Sequence, residues 1–416
     1  MKNIKNRYKM VLTCLFILGI QLVSTAQSLD SLFQLAVENN TELKALELEY
    51  QAILIRQDQV SQLPNPQLGI GAPILRPETR LGPQVMMVSA SQMFPWFGSF
   101  KAKKEVVIQM SKAKYEELSA IKLELFFRIK TAYYQLVFLS QKEKLFSETV
   151  TNYRALETIA LAKVESGQSS LADVLRIQTK IDEYIVLLEQ INIEKTDLYA
   201  QINNVTNQPL ANKILIQDSM DYELINYDLG QFRSKIENHH PLINKLDFQI
   251  AASNSKIAVN KKNNQPGLGI GLDYNLVNPR VDATPMNNGR DILVPKVMVS
   301  IPIYRKSYTS VFKEEKLNQE ALNYKKESIT DQMISTIISY KSAYDNAQLT
   351  YDLSRTQLEK ISSAYKILEA SYSADGKKIE ELLSTQNELI NLKLKLDFSR
   401  LNMAVSKAKI ERLTDY

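Results

Sequence analysis

The sequence predicts a mainly α fold with a smaller β part: duplicated long helical hairpins of coiled-coil type, together with four strands per chain. Three observations carry this. Apolar residues recur every seven positions over long proline-free stretches. Short period-two segments interrupt them. The same order of segments occurs twice, about two hundred residues apart.

The heptads come first. Leu118, Leu125, Ala132, Leu139, Phe146, Tyr153 and Ala160 are spaced by seven, as are Ile177, Tyr184, Ile191, Leu198 and Val205. In the second half Ile337, Tyr344, Tyr351, Leu358, Tyr365 and Tyr372 repeat the pattern, and Leu382, Leu389, Leu396, Met403 and Ile410 complete it. No proline lies between Ser99 and Ser166. A helix of that length is roughly 100 Å long at 1.5 Å per residue. Gly167 and Gly376 each fall between two such helices, where a left-handed turn residue is needed. The hairpin tips are expected at about 160–172 and 371–380.

The strands are clearest in the second half. Leu268, Ile270, Leu272, Tyr274 and Leu276 alternate with Gly267, Gly269, Gly271, Asp273 and Asn275. Val297, Val299, Ile301 and Ile303 alternate with Lys296, Met298 and Ser300. Each segment has one apolar and one polar or small face. Weaker counterparts are expected near 66–75 and 85–94, with polar loops over 76–84 and 278–291. One helix is expected ahead of each strand pair. The duplication shows in Pro66-Gln67-Leu68-Gly69-Ile70-Gly71 against Pro266-Gly267-Leu268-Gly269-Ile270-Gly271, and in Met87-Val88-Ser89 against Met298-Val299-Ser300. The organisation is then residues 1–26, a first repeat over 27–209, a linker over 210–235 and a second repeat over 236–416.

Residues 1–26 have the pattern of a secretory signal: Lys2, Lys5, Arg7 and Lys9, an apolar run from Met10 to Val23, and Ser24-Thr25-Ala26 before the expected new N-terminus, Gln27. Of 51 Lys and Arg against 46 Asp and Glu, four lie in this leader. The processed chain is nearly neutral, so a nucleic-acid surface has no support. Cys14, the only cysteine, would leave with the leader; the residues before it match a lipidation signal poorly, so an unlipidated, disulfide-free protein is expected.

Past the leader, no apolar stretch reaches the length of a membrane helix. Entry into a bilayer therefore requires a closed barrel. Four strands are too few to close one, so several chains must share it. The heptad helices would continue from the barrel as a bundle around the same axis. This pattern predicts a hollow symmetric oligomer without fixing its subunit number. A periplasmic coiled-coil adaptor or structural protein without a membrane barrel is the competing class.

Catalytic chemistry finds no foothold: the sequence holds no G-x-S-x-G, phosphate loop or metal-protease motif. His239-His240 precedes Pro241 and reads as a helix-entry turn rather than a metal site. Met298 falls on the polar face of its strand, and Met87 and Met93 match it; thioethers bind soft cations, but these are read as packing residues. No cofactor is expected.

The duplicated order of segments and the two glycine-centred tips resemble the TolC-like outer-membrane efflux proteins over nearly the whole processed chain. The tips are Gly167-Gln168-Ser169-Ser170-Leu171-Ala172-Asp173-Val174-Leu175 and Tyr372-Ser373-Ala374-Asp375-Gly376-Lys377-Lys378-Ile379-Glu380-Glu381-Leu382-Leu383. Ser91-Gln92-Met93-Phe94-Pro95-Trp96-Phe97-Gly98 is similar to the strand-to-helix turn of relatives that serve cation and heavy-metal pumps. The resemblance implies a homotrimer with a shared twelve-strand transmembrane β-barrel, continued by a periplasmic α-barrel tunnel. It implies an outer-membrane location, a passive non-enzymatic role, and two protein partners, a periplasmic adaptor and an inner-membrane pump. It assigns Asp173, Lys377 and Glu381 to the periplasmic gate or entrance. Gly167, Gln168, Ser169, Gly376 and Lys378 fall at the adaptor-docking tips. The second tip carries its glycine one residue later than the commonest family spacing.

Overall fold

The computed structural model describes residues 28–216, 220–223, 228–375 and 378–414. The expected leader, Cys14, Gly376 and Lys377 lie outside the described residues, as does part of the 210–235 segment. In chain order the elements are α1 (Leu29–Asn39), α2 (Thr41–Val60), β1 (Gln67–Gly71), β2 (Glu78–Thr79), β3 (Gly82–Phe94), α3 (Ser99–Glu165) and α4 (Leu171–Val205). There follow α5 (Leu229–His239), α6 (Pro241–Asn263), β4 (Gly267–Val277), β5 (Ile292–Ser300), α7 (Lys306–Asp375) and α8 (Ile379–Thr414). Two helices, two main strands and two long helices therefore occur twice.

Each half has two helices ahead of its strands where one was expected. The break falls at equivalent places. Asn40 is extended between α1 and α2, and its amide Nδ2 donates to the Val205 carbonyl at 2.8 Å. His240 is extended between α5 and α6; its Nδ1 accepts from the Leu242 N–H at 3.1 Å, and Pro241 takes the first helical position. His240 thus caps α6, the helix-entry turn expected there.

The chain divides into two units. One comprises the described residues of 1–41, 122–227 and 336–415. Its core is the heptad seam. Leu118 aside, which precedes this unit, every α3 position named above is buried, and so are Ile177, Tyr184, Ile191, Leu198 and Val205 of α4. Phe146 and Tyr153 pack on Tyr184 with ring centroids 5.1 and 5.8 Å apart. The second hairpin is less enclosed. Ile337, Tyr344 and Tyr372 of α7 are buried, as are Leu382, Met403 and Ile410 of α8. Tyr351, Leu358, Tyr365, Leu389 and Leu396 are only half-buried. Near the end of α8, Glu411 accepts from Lys130 at 2.5 Å, and Arg412 reaches Glu124 at 2.6 Å while lying over the Phe127 ring.

The other unit comprises 42–121 and 228–335. A chain of ion pairs joins three of its helices: Glu49 of α2 meets Lys114 of α3 at 2.5 Å, Lys114 meets Glu117 at 2.9 Å, and Glu117 meets Lys245 of α6 at 2.7 Å. The hydrogen bond from Lys245 holds the Glu117 carboxyl below its ordinary range, against the effect of burial.

This unit also holds the sheet. It is antiparallel throughout, in the order β1-β3-β4-β5, with β2 paired only to the start of β3. β1 ends at Gly71 rather than near 75, because Pro73 has no N–H to give the ladder. β5 runs over Ile292–Ser300, so Ile301 and Ile303 lie past its end, where Pro302 intervenes. In the first hairpin, part of the expected loop is itself paired, Glu78 with Pro83 and Thr79 with Gly82. Gly82 has φ +128°, and a side chain there would run into the Asn278 carbonyl. β5, an edge strand, carries Pro295 opposite Leu272.

Candidate functional site

Two regions carry the features that bear on function: the sheet and the hairpin tips. In the sheet, the apolar residues of the period-two pattern all turn to one face. Leu268 lies opposite Val299, Ile270 opposite Val297 and Tyr274 opposite Leu293, and on the other side of β4 Leu268 meets Phe94. All of these side chains are exposed, Val297 at 77% and Ile70 of β1 at 79%. The opposite face is mostly small and polar, with Met87, Val277, Ile292 and Val294 gathered at the end next to the loops. Ser89, Ser91, Gly269, Gly271, Asp273 and Asn275 share it with Met93, Lys296 and Met298. Met93 and Met298 both lie over Gly269, where a Cβ would come 2.4 Å from the Met93 sulfur and 3.1 Å from the Met298 Cε. The methionines thus fill the space that glycine leaves.

The end of β3 turns into α3 through Pro95-Trp96-Phe97-Gly98. Gly98 has φ +81°, and Ser99 closes the turn by donating its Oγ to the Trp96 carbonyl at 2.6 Å. Phe97 and Tyr304, each just beyond a strand, are strongly exposed.

At the first tip, Gly167 has φ +74° with open space around its Cα. The N–H groups of Gln168 and Ser169 both donate to the Lys163 carbonyl, at 2.8 and 3.2 Å, which closes the end of α3. Ser170 caps α4, and its hydroxyl accepts from the Ala172 N–H at 3.1 Å. Asp173 completes a capping box: its Oδ2 accepts from the Ser170 N–H at 3.2 Å and from the Ser169 hydroxyl at 2.9 Å. The carboxylate assigned to the entrance is therefore turned back onto its own helix start.

At the second tip, Lys378 has φ +70°, a left-handed conformation that a non-glycine residue adopts at a cost. Its ammonium lies 3.6 Å from Glu381, and both are exposed. Gly376 and Lys377 fall outside the described residues. The two tips meet. Asp173, Arg176, Lys378, Glu380 and Glu381 line one open groove of about 570 Å³, with Gly167, Gln168 and Ser169 on its rim. Arg176 of α4 pairs with Glu380 of α8 across it. The sequence reading did not single out this pair. Its only signal was that two duplicated tips set side by side place opposite charges within the first two turns of α4 and α8. Tyr372 is buried beneath; burial raises its phenol, the neighbouring Ser169 hydroxyl opposes this, and the Asp173 charge adds to it.

Among the described residues, no group of three or more His, Cys, Asp and Glu is placed to hold a metal ion, and no helix is long and apolar enough to cross a membrane.

Residues 32–200, nearly the whole of the first repeat, match the family model described as outer membrane efflux protein. The second half repeats its order of elements, and solved structures share the fold over 93% of the chain. CusC shares the fold at a TM-score of 0.72 and 15% identity, with 93% of this chain and 91% of that chain covered. The Neisseria gonorrhoeae MtrE outer membrane channel does so at 0.69 and 14%, covering 93% and 88%. VceC from Vibrio cholerae does so at 0.67 and 12%, covering 93% and 96%. No curated protein sequence matches the chain. The family model and the solved channels thus point the same way, the first by sequence over residues 32–200 and the second by fold.

Proposed function

We propose that the chain is one of three identical subunits of a passive exit duct, the outer-membrane member of a tripartite efflux or export system. The observation that carries this is the sheet. Its apolar face is exposed and both of its edges, β1 and β5, are unpaired in the single chain. An apolar outer surface fits lipid. Open edges do not, because each unpaired backbone group in hydrocarbon costs several kcal/mol. Pairing β5 of one copy with β1 of the next removes every edge, and three copies give twelve strands. Phe97 and Tyr304 then sit where a membrane barrel carries its aromatic girdle.

The half-buried heptad residues of the second hairpin support the same reading. Tyr351, Leu358, Tyr365, Leu389 and Leu396 suit a seam finished by neighbouring copies, which would form a helical tunnel. The repeats over 27–209 and 236–416, joined by 210–235, each supply two strands and one hairpin. The tips, with Gly167, Gln168, Ser169, Gly376 and Lys378, would meet a periplasmic adaptor that links the duct to an inner-membrane pump. Asp173, Lys377 and Glu381 would line the entrance. The Ser91–Gly98 turn favours a cation or heavy-metal pump as the partner. The duct itself catalyses nothing and needs no cofactor.

Membrane fractionation followed by native mass spectrometry in detergent tests this. A trimer extracted only by detergent is expected. Protein released without detergent, or a stable membrane-inserted monomer, would overturn it.

A further inference from the structure

Across β1, β3, β4 and β5 the sequence holds only two charged side chains, Asp273 and Lys296. Both point away from the apolar face, on the side of Gly271, Ser89 and Asn275. They are paired, with Lys296 Nζ 2.6 Å from Asp273 Oδ1. Lys296 lies directly across from Gly271, and a Cβ at 271 would come 2.8 Å from its Cε and 3.1 Å from its Cγ. The missing side chain is what lets the lysine stem lie flat along the wall to reach the aspartate one step further along β4. Everything else on this face is uncharged.

Resting on the shared-barrel reading, we propose that Lys296 and Asp273 are a charge-compensating pair that makes the barrel wall electrically neutral, so that this section of the duct passes cations and anions alike. Each fixed charge appears three times around one axis. Rings of uncompensated charge on a pore wall select ions of the opposite sign. A wall with low-dielectric backing strengthens such a field, and salt screens it over about 10 Å at 0.1 M. At 2.6 Å the two charges nearly cancel a few ångströms into the lumen. Charge discrimination by the duct must then arise elsewhere, and the pump is left to choose the cargo.

The experiment is reversal potential in planar bilayers under a KCl gradient at low salt, with the full-length processed protein. Asp273→Asn strips the negative partner and should shift the permeability ratio toward anions by about twofold or more at low ionic strength. Lys296→Met should shift it by a similar factor toward cations. The double variant should return to the parent value, which a purely structural role for the pair would not produce. Should a variant assemble poorly, Lys296→Cys is modified after assembly, Cys14 being the only natural cysteine. A cationic thiol reagent should then restore parental selectivity, and a neutral reagent of similar size should not. If the parent conducts and both single variants reverse at the parent potential, the pair does not face the conduction path and the proposal fails. If the parent forms no conducting pore at all, the barrel reading fails first and takes this proposal with it.

Discussion

In the sheet, Ile270 and Val297 face each other with their side chains exposed, while Asp273 is tucked against Lys296 on the other face. At the hairpin tips the arrangement is reversed. Tyr372 and Leu382 are wholly buried, while Lys378, Glu380 and Glu381 stand in the open. The two regions belong to one chain of ordinary composition, so the difference reports the surroundings each is built for. The tips obey the rule for water: apolar inside, charge outside. The sheet breaks that rule over a contiguous patch, and a contiguous exposed apolar patch marks a surface that something apolar covers.

The comparison breaks most readily in the sheet. Ile270→Arg puts a charge in the middle of the apolar face. At a bilayer midplane that costs about 2–4 kcal/mol per copy, so loss of the detergent-extracted trimer is expected, scored by native gel and membrane fractionation. Gln168→Arg, the same new charge at an exposed tip position, should leave the trimer intact. If both variants assemble alike, the apolar face does not meet lipid.

The buried aromatic seam of the first hairpin should respond to alkali. Burial pushes the Tyr184 phenol up to about 12 and raises that of Tyr153 as well. Both ionise near 10 once unfolded. Their contribution is therefore complete below pH 10 and is lost as pH climbs toward 12. Helical circular dichroism at 222 nm should fall over that window. Tyr184→Phe should move the midpoint upward, by an amount on the order of 1–3 kcal/mol at the alkaline end.

A smaller effect separates the two tips. Gly167→Ala forces a Cβ into a left-handed turn and should cost about 1–2 kcal/mol, although nothing stands in its way. Lys378→Gly relieves the same conformation at the second tip and should be neutral or stabilising by up to about 1 kcal/mol. Thermal unfolding of the two variants decides. The smallest effect is expected from Arg176→Ala. Its pair with Glu380 is exposed, and such pairs are worth about 0–1 kcal/mol. A melting temperature within a few degrees of the parent would fit; a large loss would mean that the groove is far less wet than its exposure indicates.

How much of this was legible in the sequence depends on the range of the interaction. The heptads named Leu125, Phe146, Ile177 and Ile191 as core, and all four are buried. Helix periodicity is local, so the sequence displays it. The strand faces were legible for the same reason. The strand ends were not, because Pro73 and Pro302 act through hydrogen bonds to a neighbouring strand that the period-two pattern does not contain. The split of the first leading helix was missed since Asn40 finds its partner 165 residues away; in the second half the entry at Pro241 was legible, but the short α5 ahead of it was not. At the tips, the Gly167 turn was readable from glycine alone, but the Asp173 capping box was not singled out, although Ser170 and Asp173 spell it. Arg176 with Glu380, and Asp273 with Lys296, needed three dimensions.

Pro295 gives the edge strand a further meaning. A subunit on its way to the membrane carries a sheet whose last strand is open to any passing extended segment, and misdirected pairing there would end in aggregates. A residue with no N–H cannot contribute a rung at that point. β1 on the opposite edge is only five residues long and offers little more. In the shared barrel proposed above, the subunit would travel with two poor templates at its margins, and the seams between copies would be the loosest joints of the wall. Closure would then wait until the partners are already held together by their helices, so that the order of assembly is written into the edge strands themselves.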